Sequence, residues 1–297
     1  MSEARNGRQV YCVVTDKYGN TAKTNTVALR LAVTVTGQPK TAYAKVGETA
    51  SVTVKAVGEG LTYKWYYKDV GDSKFYRNTA YTGPTYSVGM SEAKNGRQVY
   101  CIVADRYGHS VATNGVALRL AATITTQPRI AYAQYGQTAS VSVKAVGDGL
   151  KYQWYVKNAG TTSYFKSATS ATYSVKMVGT TKDRYLYCII TDQYGNSVRT
   201  NTVQLRMTAT ITKQPVNVTV ASGSNATVTI AAAGDGLTYQ WYYKDAGGTG
   251  FYRNTAFTGT SYSVAMSAAR SGRQVYCVVT DKYGNSVKSN TVTLRMK

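Results

Sequence analysis

The stretches LTYKWYYK at 61–68 and VYCIVADRYGH at 99–109 decide the fold. In both, core-type residues alternate with outward ones at period two, the pattern of a strand with one buried face. The second runs into D-x-Y-G, a turn signal whose glycine, Gly108, is expected at positive φ in a hairpin loop. The same pair recurs as LKYQWYVK (150–157) with LYCIITDQYGN (186–196), and as LTYQWYYK (237–244) with VYCVVTDKYGN (275–285). A further VYCVVTDKYGN stands at 10–20 without its tryptophan strand. Cys12, Cys101, Cys188 and Cys277 are 89, 87 and 89 residues apart, and Trp65, Trp154 and Trp241 are 89 and 87 apart.

Self-similarity at a fixed period marks a repeat architecture. Three complete units span 32–120, 121–207 and 208–297, each opening on an element around Pro39, Pro128 or Pro215. Residues 1–31 match only the last third of a unit: MSEARNGRQVYC from Met1 repeats as MSEAKNGRQVYC from Met90. The chain therefore reads as an excerpt from a longer array. Within the first complete unit ASVTVKAVG, LTYKWYYK, TYSVGM, QVYCIVAD and GVALRL read as strands, and no stretch has a helical period. About seven short strands per unit, with turn signals between them, indicate an all-β chain of β-sandwiches. The expected core of the first is Val52, Val54, Tyr63, Trp65, Tyr86, Val88, Val99, Cys101 and Val103.

The Trp strand and the Cys strand resemble strands C and F of an immunoglobulin-like sandwich, in which a core Trp packs beside a disulfide joining strands B and F. The position on strand B is Val54, Val143 or Ile230, so the resemblance implies tandem Ig-like sandwiches lacking the intersheet disulfide. Each Cys is then a small buried hydrophobe. The tyrosine corner of that family is missing: two residues before the Cys stand Val10, Val99, Leu186 and Val275. The variant YxWYxK…VYCVVTDxYGN resembles bacterial Ig-like repeats of Gram-positive cell-surface proteins. That implies an extracellular, surface-displayed stalk or adhesin, and it names no ligand.

Junctions such as TNGVALRL–AATITTQP contain no Gly/Ser linker, so the units are expected to form a semi-rigid rod. Residues 9–31 form a hairpin whose apolar face carries Val10, Cys12, Val14, Val27, Leu29 and Leu31. An isolated hairpin is marginal in water, so a covering contact is expected there: the first complete unit, an omitted part of the chain, or self-association with another copy.

Alternation turns the residue after each Trp and the residue before each Cys outward, giving Tyr66 with Tyr100, Tyr155 with Tyr187, and Tyr242 with Tyr276. The next strand adds Phe75–Tyr76–Arg77, Tyr164–Phe165–Lys166 and Phe251–Tyr252–Arg253. The candidate binding face is therefore Tyr66, Tyr100, Tyr76 and Arg77, then Tyr155, Tyr187 and Tyr164, then Tyr242, Tyr276, Tyr252 and Arg253. The bland alternative is cross-strand aromatic pairing that steadies the sheet.

With 35 Lys+Arg against 14 Asp+Glu, the net charge is +21. The 43% hydrophobic content is enough for packed cores and excludes a disordered basic tail. One histidine, His109, and few carboxylates leave no catalytic or metal site and no cofactor. Asp16, Asp105, Asp192 and Asp281 supply one carboxylate per D-x-Y-G loop, too few for a calcium cage, and are read as turn-stabilising. No apolar run is long enough to enter a membrane. The basic residues spread over strands and loops without a dense cluster, which disfavours nucleic acid. The partners expected are an anionic cell-wall polymer or glycans, or a host protein such as a captured immunoglobulin. Accessory repeats of a larger surface enzyme remain the third class.

Overall fold

The computed structural model describes residues 3–297, which are strand, turn and loop apart from three single 3-10 turns. The chain divides into two compact units. One is Met1–Thr123 with Ala145–Leu150 and Thr191–Val198; the other is Ile124–Lys144, Lys151–Ile190 and Arg199–Lys297.

The first unit begins with a ribbon of β1 (Gln9–Val10), β2 (Val13–Thr15), β3 (Thr21–Lys23) and β4 (Val27–Ala28), with β2 paired to β3 and β1 to β4. A sandwich follows: β5 (Thr34–Gly37), β6 (Ala42–Ala44), β7 (Thr49–Thr53), β8 (Lys55–Val57), β9 (Thr62–Lys68), β10 (Tyr76–Asn78), β11 (Thr85–Gly89), β12 (Gln98–Ala104), β13 (Ser110–Ala112) and β14 (Val116–Leu120). Its larger sheet runs β10-β9-β12-β14-β6, with β13 also on β12. The opposing layer pairs β7 with β11 and β8 with β5.

The opening proline element is where the chain changes sheets. β5 pairs antiparallel with β8, and β6 pairs parallel with β14 across the sandwich. Between them Pro39 is buried and has no N–H to satisfy. Gln38 beside it accepts a bond from the Asn114 amide (2.9 Å), as Gln127 does from Asn201 (3.0 Å) and Gln214 from Asn290 (2.9 Å). One strand read as continuous is broken, and one more strand, β13, precedes the last. ASVTVKAVG divides at Val54, whose N–H goes to the Pro84 carbonyl, so its two halves have different partners. The last strand is preceded by β13 and a break at Thr113, whose hydroxyl accepts from the Cys101 amide (3.0 Å) and donates to the Asn114 carbonyl (3.1 Å).

Of the expected core, Val52, Val54, Trp65, Tyr86, Val99, Cys101 and Val103 are buried, and Tyr63 and Val88 pack partly buried against them. The Trp65 indole N–H donates to the Gly83 carbonyl (2.9 Å), so burial leaves no unpaired donor. All four cysteines are free; Cys101, Cys188 and Cys277 are buried and Cys12 is exposed.

In the second unit the larger sheets are ordered Phe165–Lys166, Lys151–Lys157, Tyr185–Thr191, Val203–Thr208, Ala131–Gln134, and likewise Tyr252–Arg253, Thr238–Lys244, Arg273–Thr280, Val292–Met296, Val218–Val220. Opposing them are Thr138–Ser142 with Thr172–Lys176 and Asn225–Thr229 with Ser261–Ala265. Three Ig-like sandwiches without disulfides thus stand in tandem.

Carboxylates tie the turns. Asp105 Oδ1 accepts from the Tyr107 and His109 amides, and Oδ2 accepts from the Val33 amide (3.1 Å) at the start of its own sandwich. Asp192 and Asp281 do the same for Ala122 and Ala209 (3.0 Å each). Gly19, Gly108, Gly195 and Gly284 in these turns all have φ near +90°. A second carboxylate, on the G-E/D-G turn, meets the preceding segment. Glu59 accepts from the Tyr107 hydroxyl (2.7 Å) and Arg30 (3.2 Å). Asp148 accepts from the Tyr194 hydroxyl (2.9 Å) and Asn95, and Asp235 from the Tyr283 hydroxyl (2.8 Å).

The ribbon's apolar face is bare. Val10, Cys12, Val14, Val27 and Leu29 are exposed, whereas the first sandwich buries their counterparts Val99, Cys101 and Val103 completely. The first complete unit therefore does not supply the covering contact.

Candidate functional site: the aromatic and cationic sheet face

Strand register fixes the site. Tyr66 lies opposite Tyr100, and Trp65 opposite Cys101, so the tyrosines point away from the core. The rings stack across the strands with centroids 5.1 Å apart and planes 9° from parallel. Tyr155 with Tyr187 (5.2 Å, 11°) and Tyr242 with Tyr276 (5.0 Å, 14°) repeat this arrangement. Neighbouring strands are about 4.8 Å apart, so rings stacked at that spacing stand upright on the sheet. One face of each ring is taken by its partner, and the edges and hydroxyls point to solvent. Burial, and next to it the neighbouring phenol, pushes Tyr100 and Tyr276 above the ordinary tyrosine range, so both stay neutral near pH 7.

The edge strand divides its three residues between two sides. Arg77 sits opposite Tyr66 and shares its face, as Lys166 does with Tyr155 and Arg253 with Tyr242. Tyr76 sits opposite Tyr67 and packs on it (6.1 Å), and Tyr252 packs on Tyr243 (6.0 Å). Tyr76 and Tyr252 therefore leave the expected face, because period two puts them on the side of the core-facing residues. Phe75, Tyr164 and Phe251 take the place instead, set against Tyr100 (4.9 Å), Tyr187 (4.9 Å) and Tyr276 (4.8 Å).

Cations that the candidate set lacked complete the site. The Arg199 guanidinium lies 3.9 Å from the Tyr187 ring centroid, and Lys288 lies 3.9 Å from Tyr276. Lys23 lies 3.7 Å from Tyr11 in the ribbon. The corresponding place in the first sandwich is Ala112, so Tyr100 has no such cap. Lys68, Lys157 and Lys244 lie 5.5, 5.3 and 5.3 Å from Phe75, Tyr164 and Phe251. The clue in the sequence was the third residue of TAK, SVR and SVK, set against SVA in the first unit.

Among the described residues no strand contains an aspartate or a glutamate. The carboxylates lie in turns, loops and junctions, where several are held in ion pairs. Asp69, next to Lys68, turns away to grip Arg97 through two bonds of 2.7 Å, and Asp245 grips Arg273 (2.6 and 2.9 Å). On the outward face around the tyrosine pairs, Lys68, Arg77, Lys157, Lys166, Lys244 and Arg253 are in no ion pair among the described residues, a grouping hidden in a linear reading of the charge. The opposite layer differs: it carries hydroxyl pairs such as Ser51 with Ser87 (2.8 Å) and Ser140 with Ser174 (2.8 Å).

Other reactive groups are structural. Burial pushes the Cys101, Cys188 and Cys277 thiols up to about 11, so they are not thiolates near neutrality. His109 takes the place of an asparagine, with Nδ1 2.9 Å from Asp105 Oδ2. Among the described residues no cluster of three His, Cys, Asp or Glu is placed to hold a metal ion. Nor, among the described residues, is any helix long and apolar enough to cross a membrane.

Among solved structures the chain is similar to extracellular domains 3–5 of Drosophila OTK: 15% identity, 90% of this chain and 97% of that one, TM-score 0.40. It is also similar to titin domains I67–I69 in an E-to-A variant: 11% identity, 90% and 99% coverage, TM-score 0.40. A third likeness is to the N-terminal eight Ig domains of Down Syndrome Cell Adhesion Molecule isoform 1.30.30: 13% identity, 99% and 40% coverage, TM-score 0.44. No family model and no curated protein matches the sequence.

Proposed function

We propose that this chain is a non-catalytic, adhesion-type segment of tandem Ig-like domains, displayed outside the cell as part of a Gram-positive surface protein. Its binding surface is the repeated aromatic and cationic sheet face. The observation that carries this is the recurrence of one outward constellation, a stacked tyrosine pair with an edge aromatic and basic neighbours, on all three sandwiches. Weak contacts repeated along one chain add through avidity. Cross-strand stacking also steadies the sheet, and the two roles coexist in the same side chains.

The test is a pull-down of the full chain against wall polymer, host glycans and serum immunoglobulin at low and moderate salt. The companion is a chain with all six stacked tyrosines replaced by serine. Retained binding in that variant refutes the face. A second reading, capture of one host protein, is favoured by Ala112, which makes the first sandwich the one with an uncapped Tyr100. In that case the serine replacements at Tyr66 and Tyr100 alone abolish binding. Self-association through the bare ribbon face of residues 1–31 belongs to the same proposal, and sedimentation velocity over a concentration series reads it.

A further inference from the structure

We infer that the larger sheet faces are docking surfaces for an acidic polysaccharide; this rests on the sheet-face reading above and names its ligand class. Three observations converge. First, Lys64, Lys68 and Arg77 stand outward on neighbouring strands of the first sandwich, and those strands carry no carboxylate. None of these three is in an ion pair among the described residues, since Asp69 is held by Arg97. Lys157 with Lys166, and Lys244 with Arg253, repeat the pattern.

Second, the spacing suits a polymer. Residues four apart on a strand are about 13 Å apart, and adjacent strands about 4.8 Å. Charges about 13 Å apart lie beyond the Debye length of about 8 Å and are largely screened from one another, so each can meet its own anionic group and a flexible polyanion gains several linked contacts. The opposite layer, lined with paired hydroxyls, carries fewer strand cations: Lys55, Lys144, Lys176 and Lys213.

Third, the aromatic geometry separates a polysaccharide from a nucleic acid. Single-stranded nucleic acids bind by laying bases on open ring faces. Here the rings face each other across the strands, and Arg199 and Lys288 cap two of the three pairs. What remains outward is phenol edges and hydroxyls beside cations, which suits sugar hydroxyls and anionic substituents.

The experiment compares two full-length variants with equal net charge. One carries Lys68→Gln, Arg77→Gln, Lys157→Gln, Lys166→Gln, Lys244→Gln and Arg253→Gln. The other carries Gln at Lys55, Lys144, Lys176 and Lys213 on strands of the opposite layer, and at Lys94 and Arg270, whose side chains reach carbonyls of that layer. Heparin oligosaccharide is the probe, with oligo(dT) of matched charge beside it, over a salt series. The expected result is roughly tenfold or greater loss of heparin affinity in the first variant, with less than about threefold in the second, and a shallower salt dependence only in the first. Near-ultraviolet signals of the buried tryptophans check that both remain folded. Equal losses in the two variants overturn the inference, as does oligo(dT) binding more tightly than heparin with quenched tyrosine fluorescence. A chain that ignores heparin yet holds a partner lost on Tyr→Ser replacement overturns this inference alone; a chain whose binding ignores the tyrosines overturns the sheet-face reading itself.

Discussion

The middle sandwich lacks an ion pair that its neighbours possess, and restoring it is a quantitative test of how the structure assigns partners. In the first sandwich Arg97 is buried, gives two bonds of 2.7 Å to the Asp69 carboxylate and a third of 3.0 Å to the Tyr86 hydroxyl. In the third, Arg273 does the same with Asp245 and Tyr262. The middle equivalent, Arg184, gives one bond of 2.8 Å to the neutral Asn158 amide oxygen and one of 2.6 Å to the Tyr173 hydroxyl. Asn158→Asp exchanges a neutral acceptor for a carboxylate that can take two bonds. The present bond already has an ionised donor, so the exchange adds a second charge-assisted bond and the attraction of opposite charges, together at most about 1.5–3 kcal/mol. The sister carboxylates are 30% and 42% exposed, so water screens much of that contribution. The expected net gain is about 1 kcal/mol. Three sandwiches on one chain do not melt as a single transition, so native-state hydrogen exchange is the assay. Amides of Lys151–Lys157 and Leu186–Ile190 should exchange roughly five times more slowly, and those of the third sandwich should not change. The converse, Asp69→Asn, should speed exchange in β9 and β12. Unchanged or weaker protection in Asn158→Asp would refute the assignment of Arg184 as a cation awaiting a carboxylate.

Three further outcomes are expected. Trp65→Ala should destabilise the first sandwich by about 3–5 kcal/mol in urea, and a change under about 1 kcal/mol would contradict its place in the core. Iodoacetamide at neutral pH should label Cys12 and spare the three buried thiols until denaturant is added; even labelling of all four by mass spectrometry would be inconsistent with the burial described. Burial pushes the carboxyls of Asp105, Asp192 and Asp281 up, but hydrogen bonds from amides and from His109 or Asn side chains outweigh it and hold them below the ordinary aspartate range. Their folded values being lowered, they stabilise the fold above about pH 4, and that contribution is lost as pH falls through the lowered values. Asp281→Asn should flatten the acid limb of a pH–stability curve, whereas an unchanged limb argues against the turn's role.

Much of this fold was legible because its signals are local. Period-two alternation around Trp65 and Cys101 gave the strands and their inward faces, and D-x-Y-G gave the turns. The tyrosine pairs followed from alternation plus adjacency of two strands. Tyr76 went astray because it and Arg77 are adjacent on β10, where period two allows only one of them on the face, and the partners Tyr67 and Tyr66 decide which. Arg97 with Asp69 was missed because the residues are 28 apart in sequence and meet only through folding. The same holds for Tyr283 with Asp235, 48 apart. The cationic caps lay hidden because β13 and its counterparts are separated from the last strand by a break that hydropathy does not reveal.

The short strands Tyr76–Asn78, Phe165–Lys166 and Tyr252–Arg253 form the outer edges of the larger sheets, and each sets a Lys or Arg among unpaired backbone groups. Sandwiches this alike, covalently strung together, meet one another at high local concentration while folding, where a strand from one could add to the sheet of its sibling. Brief edges, each bearing a positive charge, repel their own kind and oppose such mispairing. Positive charge on these edges therefore acts within the chain itself, by helping each repeat to fold as itself.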